Sequence, residues 1–96
     1  MKSPCVYIMT NFMKTVVYTG VTSNLIQRVW QHREGICEGF TKQYKCYHLV
    51  WYEQHETREQ AIFREKQIKG YRREKKDTLI NQFNPDWQDM YDIIVQ

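Results

Sequence analysis

Two short runs rich in β-branched and aromatic residues, Cys5–Thr10 and Thr15–Gly20, stand only four residues apart near the start of the chain. Runs of this kind read as strands. The intervening Asn11-Phe12-Met13-Lys14 is short enough for a hairpin loop. With Thr10 paired to Thr15, Tyr7 falls opposite Tyr18 on the neighbouring strand. The first run lacks polar–apolar alternation, which predicts a strand buried on both faces.

The rest of the chain must pack around that hairpin. Gly20 ends the second run, and Val21-Thr22-Ser23-Asn24 supplies capping residues for a helix with Leu25, Ile26, Val29 and Trp30 at helical spacing. Arg28 and His32 lie four residues apart and share a face of that helix. Taken alone, the pair reads as the solvated edge of an amphipathic helix. Residues 35–45 read as a loop carrying Lys42, Tyr44 and Lys45, and Cys46–Tyr52 as a third strand. Thr57 and Gln60 match a capping box and start a helix running to Lys69. Gly70 interrupts it, Arg72–Phe83 forms a further helical segment, and Asn84-Pro85 stops that one. Residues 86–91 form a short turn that anchors Trp87. Hairpin, helix, strand and helices together give an α+β fold, a three-stranded antiparallel sheet flanked by helices. A chain of 96 residues fits a single domain, 1–96.

One residue in this scheme needs a partner. On the helix after Thr57, with Ala61 at zero, Ile68 falls at about −20°, Glu65 at about +40° and Ile62 at about +100°. Glu65 thus lies in the apolar stripe. Lys69 shares that side, but its long stem can carry its charge out to water. A short carboxylate facing a core must be paired or bind a cation, so Glu65 is either half of an ion pair or a metal ligand at the floor of a cleft.

Net charge is +3, and Lys66, Lys69, Arg72, Arg73, Lys75 and Lys76 fall within eleven residues. Such a cluster is a solvated helix face or a phosphate-backbone footprint. Aromatic residues make up 15% of the chain, enough to supply stacking surfaces as well as core. The three cysteines, Cys5, Cys37 and Cys46, are odd in number and form no C-x-x-C. They read as free thiols of a reducing cytoplasm, and the first residues carry no apolar targeting core. Cys37, Cys46 and His48 match no standard zinc spacing. No apolar run is long enough to span a bilayer.

Two strand tyrosines, a helical Arg–His pair and a stripe-facing glutamate form a set. At this point the sequence resembles the GIY-YIG nuclease superfamily, and is most similar to its small stand-alone bacterial members. Cys5-Val6-Tyr7 stands for Gly-Ile-Tyr, and Tyr18-Thr19-Gly20 for Tyr-Ile-Gly. Residues 20–32 resemble the family's first helix with its arginine and histidine, and Arg64–Lys69 the later helix with its metal-binding glutamate. Asn84-Pro85-Asp86-Trp87 also looks like those relatives. Cys5 and Thr19 depart from the pattern at positions that look structural.

The resemblance implies a metal-dependent endonuclease that hydrolyses DNA phosphodiester bonds by a one-metal mechanism. Its catalytic residues would be Tyr7, Tyr18, Arg28, His32 and Glu65. Glu65 would hold Mg²⁺ or Mn²⁺, since hard ions suit a carboxylate and Mg²⁺ sites take the rest of their shell from water and phosphate. Arg28 would fork onto a phosphate oxygen. Tyr7, Tyr18 or His32 would take the proton of the attacking water, a phenol needing a depressed pKa for that role. Lys42, Lys45, Lys66, Lys69 and Arg72 would contact the nucleic acid. The family's late asparagine has two candidates, Asn81 and Asn84. The alternative is a nucleic-acid-binding module of the same fold with little or no turnover. A weaker third reading pairs Glu65 with Arg28 or Arg72 as core structure. DNA against RNA, the structure of the substrate and the oligomeric state stay open.

Overall fold

The computed structural model describes residues 3–37 and 39–96. Glu38, inside the segment read as a loop, lies outside the described residues. The elements are β1 (Cys5–Thr10), β2 (Val17–Thr22), α1 (Leu25–Arg33), α2 (Phe40–Gln43), β3 (His48–Gln54), α3 (Arg58–Lys69), α4 (Arg73–Phe83) and α5 (Tyr91–Ile94). The strands form one antiparallel sheet in the order β2-β1-β3.

β1 is central and every residue of it is buried, because helices cover both faces of the sheet. Cys5, Tyr7 and Met9 face Leu25 and Val29 of α1, together with Leu49 and Ile94. Val6 and Ile8 face Ala61 and Ile68 of α3 and Ile80 of α4. The missing alternation in the first strand therefore reflects two apolar faces. A bulge between Ile8 and Met9 lets β3 set Val50 and Trp51 together on the α3–α4 side.

The hairpin register differs from the sequence reading. Thr10 pairs with Val17, Tyr7 lies opposite Gly20, and Tyr18 lies opposite Met9. The loop runs from Asn11 to Val16, and its own hydrogen bonds set that length. Asn11 Oδ1 accepts from the backbone N–H of Thr15 and of Val16, at 2.9 and 3.0 Å. Lys14 takes a positive φ of 60°. Arg73 then ties the loop to α4 by donating to the carbonyls of Thr15 and Lys14. The shift of two residues keeps Tyr7 and Tyr18 on the same face, now as diagonal neighbours.

The helix caps agree with the sequence. Asn24 Oδ1 accepts from Gln27 N–H at the start of α1, and Thr57 Oγ1 from Gln60 N–H at the start of α3. The segment read as a loop before β3 holds the short helix α2, and β3 itself begins two residues later than expected, at His48. The outer edge of β3 is tied to the C-terminal segment. Asn84 donates to the Val50 carbonyl, Asp89 accepts from Leu49 N–H, and Met90 N–H donates to the Leu49 carbonyl. Asp89 also pairs with Arg33 of α1.

Candidate active site

Tyr7, Tyr18 and His32 gather at the β2 side of the sheet on its α1 face, while Glu65 comes from α3, which packs on the opposite face. Tyr7 stands on the central strand, directly opposite Gly20. A Cβ built on Gly20 would lie 2.5 Å from the Tyr7 hydroxyl and 2.6 Å from the ring carbon that bears it. The phenol thus lies across the glycine backbone, and only a residue without a side chain leaves room for it.

From that position Tyr7 Oη meets His32 Nε2 at 2.8 Å. The other ring nitrogen, Nδ1, meets Thr41 Oγ1 at 3.0 Å. His32 is 3% exposed. Burial, with the nearby Arg28 guanidinium adding to it, pushes its pKa from 6.5 down to about 4. His32 is therefore a neutral imidazole near pH 7, with one nitrogen donating and the other accepting. The Tyr7 phenol is held above its ordinary value, first by burial and then by Tyr18, Cys37 and Glu65, while Arg28 opposes the rise. Tyr7 and His32 form a neutral, buried, hydrogen-bonded pair. A depressed phenol, which the base role of Tyr7 requires, is not what this geometry gives.

Tyr18 completes an aromatic triangle. Its ring centroid lies 6.3 Å from Tyr7 and 5.8 Å from His32. Arg28 is exposed on α1, with its charge felt at both Tyr7 and His32. α3 crosses β2 and β1 and brings the charge of Glu65 within reach of the Tyr7 phenol. The apolar contact of α3 is made by Ala61 and Ile68. Glu65 lies at its margin, with a side chain 14% exposed, and Lys69 Nζ stands 3.1 Å from its Oε2. The cationic partner is thus Lys69, not Arg28 or Arg72. Lys69 does not simply extend into water: its ammonium bonds the carboxylate and lies 6.0 Å from the Tyr18 ring centre. Among the described residues no three His, Cys, Asp or Glu side chains cluster as a ready-made metal site, and the three cysteines are free.

Neither asparagine side chain is hydrogen-bonded to Tyr7, Tyr18, Arg28, His32 or Glu65. Asn84 is buried at the end of α4 and holds the Val50 and Gln88 carbonyls. Asn81 accepts from the Trp87 indole. Lys42, Lys45, Lys66, Lys69 and Arg72 are all exposed. Other members of the basic cluster have structural work: Arg73 binds Asp77 and the hairpin loop, and Lys75 lies 4.1 Å over the Tyr71 ring. Thr41 and Phe40, both against the site, were missed by the sequence reading, because α2 is too short to show a periodic signal.

An antiparallel sheet carrying two tyrosines beside an Arg–His helix, with one carboxylate arriving on a later helix, is the arrangement that the fold brings together. Residues 3–84 match the family described as the GIY-YIG catalytic domain, and the chain belongs to the GIY-YIG family of the nuclease superfamily. Membership implies a nucleic acid as the general class of substrate. Similar proteins include UPF0213 protein SAV0488 of Staphylococcus aureus strain Mu50 and UPF0213 protein SA0446 of strain N315. Each is 39% identical over 66 residues, spanning 69% of this chain and 80% of the relative. The fold is similar to the solution NMR structure of the UPF0213 protein BH0048 from Bacillus halodurans. That match has a TM-score of 0.59 and 24% identity, and covers 92% of this chain and 93% of that one. Among the described residues no helix is long and apolar enough to cross a membrane.

Proposed function

We propose that this protein is a divalent-metal-dependent endonuclease that hydrolyses DNA phosphodiester bonds with one metal ion. The observation that carries this reading is the Tyr7–His32 hydrogen bond, set on a neutral buried pair with the Arg28 and Glu65 charges beside it. Glu65 suits such an ion. It is one hard oxygen donor, mostly shielded from water, and it already has a monovalent cation, the half-exposed Lys69 ammonium, at its oxygen. Mg²⁺ or Mn²⁺ held there would stabilise charge on the scissile phosphate and on the leaving 3′-oxygen.

The side chains would move the proton. With His32 protonated at Nδ1, the tautomer this step requires, Tyr7 would donate its hydrogen to Nε2 at 2.8 Å and Nδ1–H would donate to Thr41 Oγ1 at 3.0 Å. An attacking water passes its proton to Tyr7 Oη while the Tyr7 proton moves to Nε2, so no free phenolate is needed. Arg28 is one of the two causes of the low His32 proton affinity. A phosphate bound to Arg28 would offset that charge and raise the affinity as the substrate arrives. Tyr18 packs against both partners and would keep their rings in register.

The Glu65–Lys69 pair also favours a second reading, in which Glu65 is a structural carboxylate in a binding module without turnover. Labelled single-stranded, duplex and branched DNA, offered with Mg²⁺, Mn²⁺ or EDTA to the wild type and to Glu65→Ala, separates the two. Cleavage that needs metal and is lost in the variant supports the nuclease. Binding without product in any metal supports the module.

A further inference from the structure

We propose that Phe40 and Tyr44 form a stacking platform for unpaired nucleotides, so that the preferred substrate carries single-stranded DNA beside the cut. The proposal rests on the nuclease reading for the position of the cut, and on geometry of its own for the platform.

An aromatic ladder leaves the site. Tyr18 stacks on Phe40 at 5.9 Å with 28° between the planes, and Phe40 meets Tyr44 at 4.7 Å. Phe40 and Tyr44 are each 44% exposed. Beyond Tyr44 a cleft of about 250 Å³ opens, lined in part by Phe12, Met13, Lys45 and His48. Phe12 is 78% and Met13 71% exposed, on the tip of the loop that Asn11 holds in shape. This surface is aromatic, stepped from ring to ring, and continuous with Tyr18.

Its charge selects the occupant. Residues 39–49 contain Lys42 and Lys45 and no Asp or Glu, both lysines are exposed, and Lys69 stands over Tyr18 at the inner end. Aromatic faces interleaved with lysines suit a strand whose bases stack while its phosphates meet ammonium groups. Paired bases in a duplex are already stacked on their neighbours and cannot offer a face to Phe40 or Tyr44 without being flipped out.

The test is binding in EDTA, where cleavage does not enter. Fluorescence anisotropy measures a labelled single-stranded oligonucleotide and the blunt duplex of the same sequence. Quenching of 2-aminopurine in the single strand reports stacking directly. The wild type is expected to prefer the single strand and to quench the probe. Phe40→Leu and Tyr44→Leu keep apolar bulk without the flat ring. Each is expected to weaken single-strand binding about tenfold, to reduce quenching and to leave duplex binding unchanged. Lys42→Gln with Lys45→Gln is expected to weaken both substrates and flatten the salt dependence.

The proposal is overturned if the wild type shows no preference or binds neither substrate. It is equally overturned if the leucine variants, with unchanged circular dichroism, bind the single strand as the wild type does or lose both substrates in proportion. Selective stacking in a protein that never cleaves overturns the nuclease reading and leaves the platform standing. Cleavage that depends on Glu65 but not on Phe40 or Tyr44, with equal affinities, does the reverse.

Discussion

Acid is expected to loosen this fold through His32. In the folded protein burial and Arg28 hold the imidazole near a pKa of about 4, against 6.5 for the free side chain. The unfolded chain therefore binds more protons than the folded one throughout that window, and stability falls as pH falls. The contribution is complete above pH 6.5 and is lost progressively towards pH 4. A shift of this size corresponds to about 3 kcal/mol at its limit, and to about 2 kcal/mol between pH 7 and pH 4.5. For a domain of this length that is a large part of total stability. Carboxylates titrate over the same range, so the wild type is compared with His32→Gln, which keeps a polar side chain of similar reach and carries no titrating proton. Urea unfolding at pH 7 and pH 4.5 gives both stabilities. The wild type should lose about 2 kcal/mol more than the variant across that interval. Equal losses in the two proteins would refute the claim that His32 is held neutral in the fold.

Three further substitutions test neighbouring parts of the account. Gly20→Ala pushes a methyl group into the Tyr7 phenol; it should cost about 1–3 kcal/mol in urea unfolding and remove cleavage as the Tyr7–His32 bond is displaced. Thr19 Oγ1 is buried without a hydrogen-bond partner, so Thr19→Val should stabilise the fold by about 1 kcal/mol, seen as a rise in Tm of about 4–8 °C. Tyr7→Phe removes the bond to His32 while keeping the ring, and should lower single-turnover cleavage by about 10²-fold or more with the fold intact.

Much of the fold could be read from local chemistry. Asn24 and Thr57 cap helices as their types suggest, and the all-apolar first strand is indeed covered twice. The hairpin register could not be read so, because it depends on Asn11 turning its side chain back onto Thr15 and Val16 and on Arg73, far along the chain, holding the loop. The same limit applies at the site. Tyr7, Tyr18, His32 and Glu65 could be named as candidates from spacing and resemblance, and the fold brings the first three side by side. Thr41 could not, since a four-residue helix has no period and its value comes only from facing His32. Helical angles put Glu65 in the apolar stripe, yet its place at the margin of α3 is fixed by the sheet edge and by Lys69. Asn84, one of the two candidates for the family's late asparagine, holds the backbone of β3, a partner no local spacing reveals.

The central claim is that Glu65 serves the cut by holding a divalent ion. The most direct measurement is the single-turnover cleavage rate of a labelled DNA in Mg²⁺ for the wild type and Glu65→Gln, with binding of the same DNA measured in EDTA. The account predicts that the glutamine variant folds and binds as the wild type does while its cleavage falls to the level seen without metal. Cleavage by Glu65→Gln at the wild-type rate would contradict it.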